Sequence, residues 1–265
     1  MKVLVAVKEI ESVGDAFEIE DGAVAGEFVE YELNEWDEYA VEEAVQIREA
    51  EEDEVEVVTV TIGPERAEET IRMGLAKGAD RAIRVWDDAI ADQELLDAAA
   101  KARLLAAVVE DEEPDLVLSG VQAGDDAFGA TGVSLAEAIG FEWAAVVNGL
   151  SLDVDAGVAH VKRELEGGVQ ELTDVELPAV LSIQTGINEP RYASLRGIRM
   201  AQSKEIAAKS VADLGLEAAS VESELVLVEM RKPESESDTQ FFEGGADEQA
   251  GTLASVLRER GVGAE

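Results

Sequence analysis

Short apolar runs alternate with amphipathic helical patterns through the first half of the chain, and this alternation constrains the fold more than any other feature. The runs are rich in β-branched residues and apolar enough to be buried on both faces of a sheet. The segments between them repeat apolar residues at positions i, i+3 and i+4. Predicted strands are residues 2–7, 55–62, 81–86 and 116–121, and predicted helices are residues 38–51, 65–77 and 93–110. This order predicts an α/β fold with a doubly wound, mostly parallel sheet.

The second half of the chain has a different sequence pattern. After Trp143, strands at residues 157–164, 169–175 and 179–184 follow one another without helices and predict antiparallel hairpins, with Gly167 and Gly168 as turn residues. Beyond about residue 208 the pattern becomes patchy, with a short helix predicted at residues 252–260. We therefore expect one domain at residues 1–207 and a C-terminal arm at residues 208–265. By itself, the segment 233–238 reads as a flexible tail.

The segment DLVLSGVQAGDDAFGATG, residues 115–132, is the strongest functional pattern in the sequence. An apolar strand runs into a Gly- and Asp-rich loop that opens a helix. The N–H groups at a helix N-terminus lack intrahelical partners and carry partial positive charge, so a loop of small residues there can hold a phosphate. The loop matches neither the G-x-G-x-x-G pattern nor the lysine-bearing P-loop. An ordinary strand-to-helix turn of a parallel sheet explains the same pattern equally well.

The strongly negative net charge of the chain limits the kinds of partner that it can bind. The 265 residues include 60 acidic and 21 basic ones, which gives a formal net charge of −39. This balance argues against nucleic-acid binding. Because 46% of the residues are hydrophobic and the apolar runs are periodic, the charge belongs to a folded surface and not to a disordered chain. A cytoplasm at molar salt, where the Debye length is roughly 3 Å, is the expected setting, which suggests a halophilic source.

Other residue types exclude several chemistries. The chain has no cysteine, which removes disulfides, thiolate metal sites and cysteine nucleophiles. Its single histidine, His160, lies in an alternating strand and is expected to be a surface or half-buried structural residue. No segment approaches the roughly 20 apolar residues of a membrane span, and Met1 leads directly into a strand, so a cytoplasmic protein without membrane insertion is expected. No catalytic triad or metal cluster is evident, and we expect neither catalytic nor metal-binding residues.

The sequence resembles the β subunit of the electron-transfer flavoproteins across most of its length. The most distinctive block is NEPRYASLRGIRMAQSKEI at residues 188–206. Other blocks in family order are KVLVAVKEI at 2–10, NEWDEYAVEEAV at 34–45, GPERAEETIRMGLAKGADRAI at 63–83, the loop at 115–132, VKRELEGGVQEL at 161–172 and LPAVLSIQTGINEPRY at 177–192. The resemblance implies an adenine-nucleotide-binding sheet and a C-terminal arm that packs on a partner α subunit.

The resemblance also implies two cofactors, an FAD held chiefly by the α subunit and an AMP buried in the β subunit. The implied cofactor-binding residues are Ala6, Asn34, Glu35, Trp36, Asp37, Ile62, Gly120, Val121, Gln122, Ala123, Gly124, Asp125, Asp126, Ala127, Phe128, Gly129, Ala130 and Thr131. Ala6 at a strand end permits close approach of adenine, and the Asn34 amide can form hydrogen bonds. Thr131 is a plausible helix N-cap or a phosphate-contacting hydroxyl.

Two of these positions have competing interpretations. Paired carboxylates such as Asp125 and Asp126 can hold a divalent cation or act as acid and base, but we favour loop-shaping hydrogen bonds to backbone, because carboxylates repel a phosphate. Trp36 falls where the family places an aromatic side chain near the flavin ring. A core anchor for the following helix is the alternative role for Trp36.

Three further residues are implied in partner recognition. Tyr192 and Leu195 lie in a segment that family members use to dock acyl-CoA or related dehydrogenases, with the leucine entering an apolar pocket of the partner. Packing of Leu195 toward the core of this chain is the alternative. Glu164 corresponds to a family glutamate that contacts the α subunit, although a charge on an alternating strand also suits a solvated surface.

The predicted function is that of a non-enzymatic electron-carrier subunit, which passes electrons from dehydrogenases of fatty acid β-oxidation toward a quinone oxidoreductase. Two alternatives remain open. The first is a bifurcating flavoprotein with a second FAD in place of AMP, since Ala127, Phe128, Gly129 and Ala130 depart from the AMP-holding pattern. The second is a stand-alone ATP- or AMP-binding regulatory module.

Overall fold

A computed structural model describes residues 1–14, 16–20, 22–51, 54–232 and 239–262. Within these residues the strands are β1 Lys2–Ala6, β2 Glu9–Val13, β3 Ile19–Glu20, β4 Ala23–Val24, β5 Val29–Leu33, β6 Glu56–Ile62, β7 Arg81–Val85, β8 Leu116–Gly120, β9 Glu142–Asp153, β10 Val158–Leu165, β11 Val169–Glu176, β12 Ala179–Ile183 and β13 Ile206–Lys209. The helices are α1 Glu35–Ala50, α2 Glu68–Lys77, α3 Asp88–Ala91, α4 Ala98–Glu112, α5 Thr131–Ile139, α6 Leu195–Ala201 and α7 Ala246–Glu259.

A large mixed sheet organises the fold. Its strand order is β11-β10-β9-β12-β8-β1-β6-β7-β13, and every pairing from β9 to β13 in that order is parallel. Only the pairs that β10 makes with β9 and β11 are antiparallel in this sheet. The sheet and its flanking helices confirm the predicted α/β class.

Both faces of the sheet are covered by helices. Alternate residues of β1 face opposite sides of the sheet. Val3 and Val5 belong to the apolar cluster on one side, and Leu4 belongs to the cluster on the other. Helices α1 and α2 contribute to the first cluster, and α4 and α5 contribute to the second. Because the parallel strands are buried on both sides, their sequences read as continuous apolar runs and were visible from the sequence.

One predicted pairing is wrong. The strand expected at residues 179–184 was assigned to an antiparallel hairpin with its predecessor, but β12 lies between β8 and β9 and is parallel to both. The hairpin turn between β10 and β11 is as predicted, with positive φ at Gly167 and Gly168. Strand order depends on which surfaces pack together across the whole fold, so adjacency in sequence misled here.

Some helix boundaries in the structure differ from the predicted ones. The helix expected at residues 93–110 begins later, at Ala98, because Asp97 caps α4 by accepting a 2.7 Å hydrogen bond from the Ala100 N–H. The short helix α3 lies before it and was not predicted. The small hairpin of β2 and β5 was not predicted.

The chain divides into two compact units, residues 1–230 and residues 231–265. The first unit includes β13, which pairs with β7 and crosses the predicted boundary at residue 207. It also includes the buried side chains of Val211 and Val221, from the segment that the sequence assigned to the arm. The second unit contains α7, which extends the predicted short helix toward its N-terminus. The predicted flexible tail at residues 233–238 lies outside the described residues.

Candidate functional site

The ends of β1, β6 and β8, marked by Ala6, Ile62 and Gly120, meet at one side of the sheet together with the loop of residues 121–130. We call this region the carboxyl edge. The order in which strands are added reverses beside β1, because β6 and β7 continue the sheet on one side and β8 starts the other side, while all of these strands stay parallel. Open α/β sheets bind ligands in the crevice at such a switch point. The structure thus brings together the strand ends that the sequence predicted to face one crevice.

Asp37 joins two of these strand ends from the first turn of α1. Its carboxylate accepts hydrogen bonds from the backbone N–H of Lys8, at 2.8 Å, and from that of Gly120, at 2.9 Å. Burial raises the pKa of Asp37 to about 7, although these bonds act in the opposite direction. A Cβ at Gly120 would lie 2.5 Å from the Asp37 Oδ1, so glycine is required for this close approach.

Asn34 braces the loop that follows β8. Its side chain is 1% exposed. The amide donates to the Gln122 carbonyl at 2.9 Å, and its oxygen accepts from the Gly124 N–H at 3.2 Å. The structure therefore places the polar atoms of Asn34 against the loop backbone, where they fix its shape.

The paired aspartates of the loop are neutralised by two lysines. Lys8 Nζ lies 2.5 Å from Asp125 Oδ1 and 2.9 Å from Asp126 Oδ2, and Lys101 Nζ lies 2.6 Å from the same Asp126 oxygen. Burial opposes ionisation of Asp126, but the hydrogen bonds from Lys101 and Lys8 prevail and lower its pKa. Two positive groups balance two negative ones, so the loop does not present an uncompensated negative charge to an anion.

The second oxygen of Asp126 shapes the loop as the sequence predicted. It accepts a 3.3 Å hydrogen bond from the backbone N–H of Phe128, two residues on, which is the geometry of an Asx turn. Among the described residues there is no group of three or more histidine, cysteine or acidic side chains suited to a metal ion.

Helix α5 begins at the end of this loop and packs against the strand ends. A Cβ at Gly132 would lie 2.7 Å from the Ser119 Oγ and 2.9 Å from the Ser182 Oγ, so glycine lets α5 approach β8 and β12 closely. The Ser119 hydroxyl is buried and has no hydrogen-bond partner within the described part of the chain.

The N-terminus of α5 has no side-chain cap. The N-cap residue is Ala130, which makes no capping bond, and Thr131 is the first helical residue. The predicted N-cap role of Thr131 is therefore wrong, since the helix starts one residue earlier than that role requires. The unbonded N–H groups of the first turn remain available to an anionic group.

Trp36 lies on the first turn of α1, beside Asp37. Its indole is half-buried and donates to the Gln184 Oε1 at 3.1 Å, just after β12. It belongs to neither of the two apolar clusters. An aromatic ring is thus held by a hydrogen bond at the same side of the sheet as the loop.

Residues 188–201 form a second exposed feature, which we call the docking segment after the role that the family resemblance implies for it. Its most exposed apolar side chains are Tyr192, at 97% of its maximal area, and Leu195, at 77%. Leu195 begins α6, and Ser194 caps that helix by accepting from the Gly197 N–H at 3.0 Å. The alternative in which Leu195 packs inward is wrong, because Gly197 and Ala201 lie against the protein and turn the leucine outward.

The remaining singled-out residues lie on the meander of β9 to β11. Glu164 is exposed and accepts a 3.2 Å hydrogen bond from the Asn148 side chain. His160 is also exposed, and its Nδ1 lies 2.6 Å from Asp174 Oδ1 on the neighbouring strand. The surface position expected for His160 is confirmed.

Comparison with known proteins decides the family. The family model described as "Electron transfer flavoprotein domain" matches residues 22–214. An electron transfer flavoprotein subunit beta from Methylophilus methylotrophus is 45% identical over 264 residues, which cover 98% of each chain. The human protein of the same name is 36% identical over 88% of this chain and 89% of its own length.

The chain belongs to the electron transfer flavoprotein family. The names of these relatives place it among the β subunits. It is therefore an electron-carrier subunit and not an enzyme, and membership implies association with flavin and with an α subunit. None of the described helices is long and apolar enough to cross a membrane.

In this electron transfer flavoprotein chain, the sequence predicted which residues lie at the carboxyl edge but missed many of the contacts that they make. The structure places the predicted residues between 120 and 131 together with Ala6 and residues 34–37. Two residues that sequence reasoning missed are Lys8 and Lys101, whose ammonium groups balance the aspartate pair. The position of Lys8 directly after β1 was a usable signal, because residues at that point reach the same side of the sheet as the loop.

Proposed function

We propose that this chain is the β subunit of an αβ electron carrier, in which it completes an FAD site held mainly by the α subunit and binds AMP as a structural ligand. FAD, when bound, carries the electrons. The observation that supports AMP most directly is the uncapped N-terminus of α5, which Gly132 seats against β8 and β12 beside a charge-balanced loop. Its N–H groups suit a phosphate, and the buried Ser119 hydroxyl lacks a partner in the described structure.

The small residues of the carboxyl edge support the same ligand. Ala6 and Gly120 end the adjacent strands β1 and β8, and the small side chain of Ala6 would let adenine approach that strand end. The loop from Val121 to Ala130, which Asn34 braces, would enclose the nucleotide. Trp36 would contribute the aromatic contact to the flavin from this chain, and its bond to Gln184 would hold the ring in place.

Partner contacts form the second part of the proposal. Tyr192 and Leu195 would dock acyl-CoA or related dehydrogenases, and the carrier would pass their electrons toward a quinone oxidoreductase in fatty acid β-oxidation. An exposed leucine and tyrosine next to each other suit the apolar centre of a protein interface. Glu164 would contact the α subunit from the exposed side of β10.

The C-terminal residues 208–265 would supply further contact with the α subunit, beyond a nucleotide-binding body of residues 1–207. Val226 and Val228 are largely exposed although apolar, and so is Phe241 in the second compact unit. Apolar side chains of this size on so acidic a chain suit a surface that a partner covers. We place the complex in the cytoplasm of a salt-adapted cell, because the net charge is −39.

Nucleotide content tests this proposal. The chain is co-expressed with a flavin-bearing α subunit in molar salt, and the purified complex is denatured so that released nucleotides can be counted. We expect one FAD and one AMP per complex. Two FAD without AMP would instead identify the bifurcating alternative. Failure to form any flavin complex, with a stable colourless monomer, would identify a stand-alone nucleotide-binding module.

A further inference from the structure

The docking segment is attached to the outer surface of α1 through an arginine. Arg191 faces Glu42 and Glu49, which lie seven residues apart on the same helix. Its Nε and Nη2 lie 2.8 and 3.0 Å from the two Glu42 oxygens, and its Nη1 and Nη2 lie 2.7 and 3.0 Å from those of Glu49. The backbone N–H of Arg191 also donates to Glu42 at 3.1 Å. One guanidinium therefore makes two bidentate ion pairs, which is the strongest geometry available to it.

Burial makes this contact more than a surface ion pair. The Glu42 side chain is only 5% exposed. Its other hydrogen-bond partner is the Gln46 amide at 2.8 Å, and Arg191 is the cation that faces it among the described residues. Burial alone would raise the pKa of Glu42, yet the Arg191 hydrogen bonds lower it below its ordinary value. A carboxylate in such a position binds its one cation firmly because solvent cannot replace it.

Three further contacts fix the same segment. Lys77, at the end of α2, donates to the Arg191 carbonyl at 2.9 Å. Asn188 donates to the Glu43 carboxylate at 2.8 Å and to the backbone of α1. At the far side, Gly197 lies so close to α2 that an added Cβ would be 2.4 Å from the Ala76 carbonyl oxygen. The segment is held on both sides of Tyr192 and Leu195, whose side chains stay exposed.

We propose that Arg191 is a positioning residue that holds the docking segment in its partner-binding shape before any partner arrives. The inference rests on the proposed function, in which this segment contacts a donor dehydrogenase. A segment ordered in advance loses less conformational freedom on binding, so each encounter yields a tighter complex. Without Arg191, the carboxylates of Glu42, Glu43 and Glu49 would repel one another, and the residues between Asn188 and Gly197 would lose their ion-pair attachment to α1.

The test uses the complete αβ complex as the varied substrate of an acyl-CoA dehydrogenase. Arg191→Ala is expected to raise KM about tenfold while kcat and FAD content stay unchanged, because docking is altered and the flavin is not. Hydrogen exchange of the backbone amides between residues 190 and 196, measured without the dehydrogenase, is expected to accelerate about tenfold. Arg191→Lys keeps the positive charge but cannot form the bidentate ion pairs of a guanidinium. It is therefore expected to change KM and hydrogen exchange in the same direction as Arg191→Ala, but by less.

Arg48→Ala is the matched control, because Arg48 lies on the same helix and pairs with Asp80 instead of the docking segment. Equal effects of Arg48→Ala and Arg191→Ala would overturn the inference, as would unchanged exchange in Arg191→Ala. If Arg191→Ala fails to fold, Glu42→Gln and Arg191→Lys carry the same test.

A further variant, Leu195→Ala, distinguishes failure of the proposed docking function from failure of the positioning role. An unchanged KM in Leu195→Ala would overturn docking at this segment, whereas a raised KM there with a normal KM in Arg191→Ala would overturn the positioning role alone.

Discussion

Asp37 is a carboxyl group whose ionised form is disfavoured by burial. It is buried at the start of α1 and holds the strand ends at Lys8 and Gly120 by accepting their N–H groups. Burial raises its pKa from 3.8 to about 7, so the folded protein binds a proton at pH values where the unfolded chain has released it. Stability from this group is therefore present below pH 4 and is lost as the pH rises toward about 7.

Asp37→Asn should remove this pH dependence. Between pH 5 and 7 we expect the free energy of unfolding of the wild type to fall relative to that of the variant, with a slope that approaches about 1.4 kcal/mol per pH unit. Urea titrations of both proteins at several pH values measure the difference. Glu35→Gln makes the same charge change at an exposed position of the same helix. Parallel curves for wild type and Asp37→Asn would contradict the prediction.

At the scale of residues, the sequence indicated which side chains gather at the carboxyl edge but not which atoms they contact. Asn34 and Asp37 were assigned to nucleotide binding because the family resemblance implied it. In the structure, their polar atoms bind the backbone of the loop and of two strand ends. Three of these four bonds join residues more than 80 positions apart, a separation that no local pattern contains.

Among the elements, α5 depends most on a single glycine. Gly132→Val would place new atoms against the Ser119 and Ser182 hydroxyls, which lie 2.7 and 2.9 Å from even the first added carbon. We expect a loss of stability of about 1–3 kcal/mol and a displaced helix N-terminus. The purified complex should then contain less than half of the wild-type AMP per FAD, as measured by nucleotide release.

Gly74→Ala is the appropriate comparison for that variant. Gly74 also lies in a helix that packs on the sheet, but its added Cβ would make an ordinary 3.8 Å contact with Thr59. We expect wild-type nucleotide content and a small gain in stability from helix propensity. Full AMP content in Gly132→Val would count against a role for α5 in binding the phosphate.

Strands that are buried on both faces were predicted well as elements, but the sequence did not determine all of their pairings. The strands β1, β6 and β8 are buried on both faces and appear as apolar runs. By contrast, β12 was found as a strand and given the wrong partner, because its run of buried residues says nothing about which strands lie on either side. Pairing over such distances is set by helix packing on the finished sheet.

The whole molecule carries a formal net charge of −39, and its stability should depend strongly on salt. At 1 M salt the Debye length is about 3 Å, compared with about 10 Å at 0.1 M, so dilution restores repulsion among surface carboxylates. We expect Tm to fall when KCl is lowered from 2 M to about 0.1 M, as followed by circular dichroism. Sucrose in place of KCl distinguishes charge screening from general preferential exclusion. A constant Tm across the KCl range would contradict a halophilic surface.

Helix α1 carries Trp36 in its first turn and the two anchors of Arg191 further along, at Glu42 and Glu49. At 1.5 Å per residue, these anchors lie about 9 and about 20 Å along the axis from the tryptophan. Electron tunnelling weakens exponentially with distance, so a carrier gains from a constant span between donor and acceptor. Under the proposed function one helix bears both features, so changes at Tyr192 or Leu195 would alter which donor is accepted without altering how far its electrons travel.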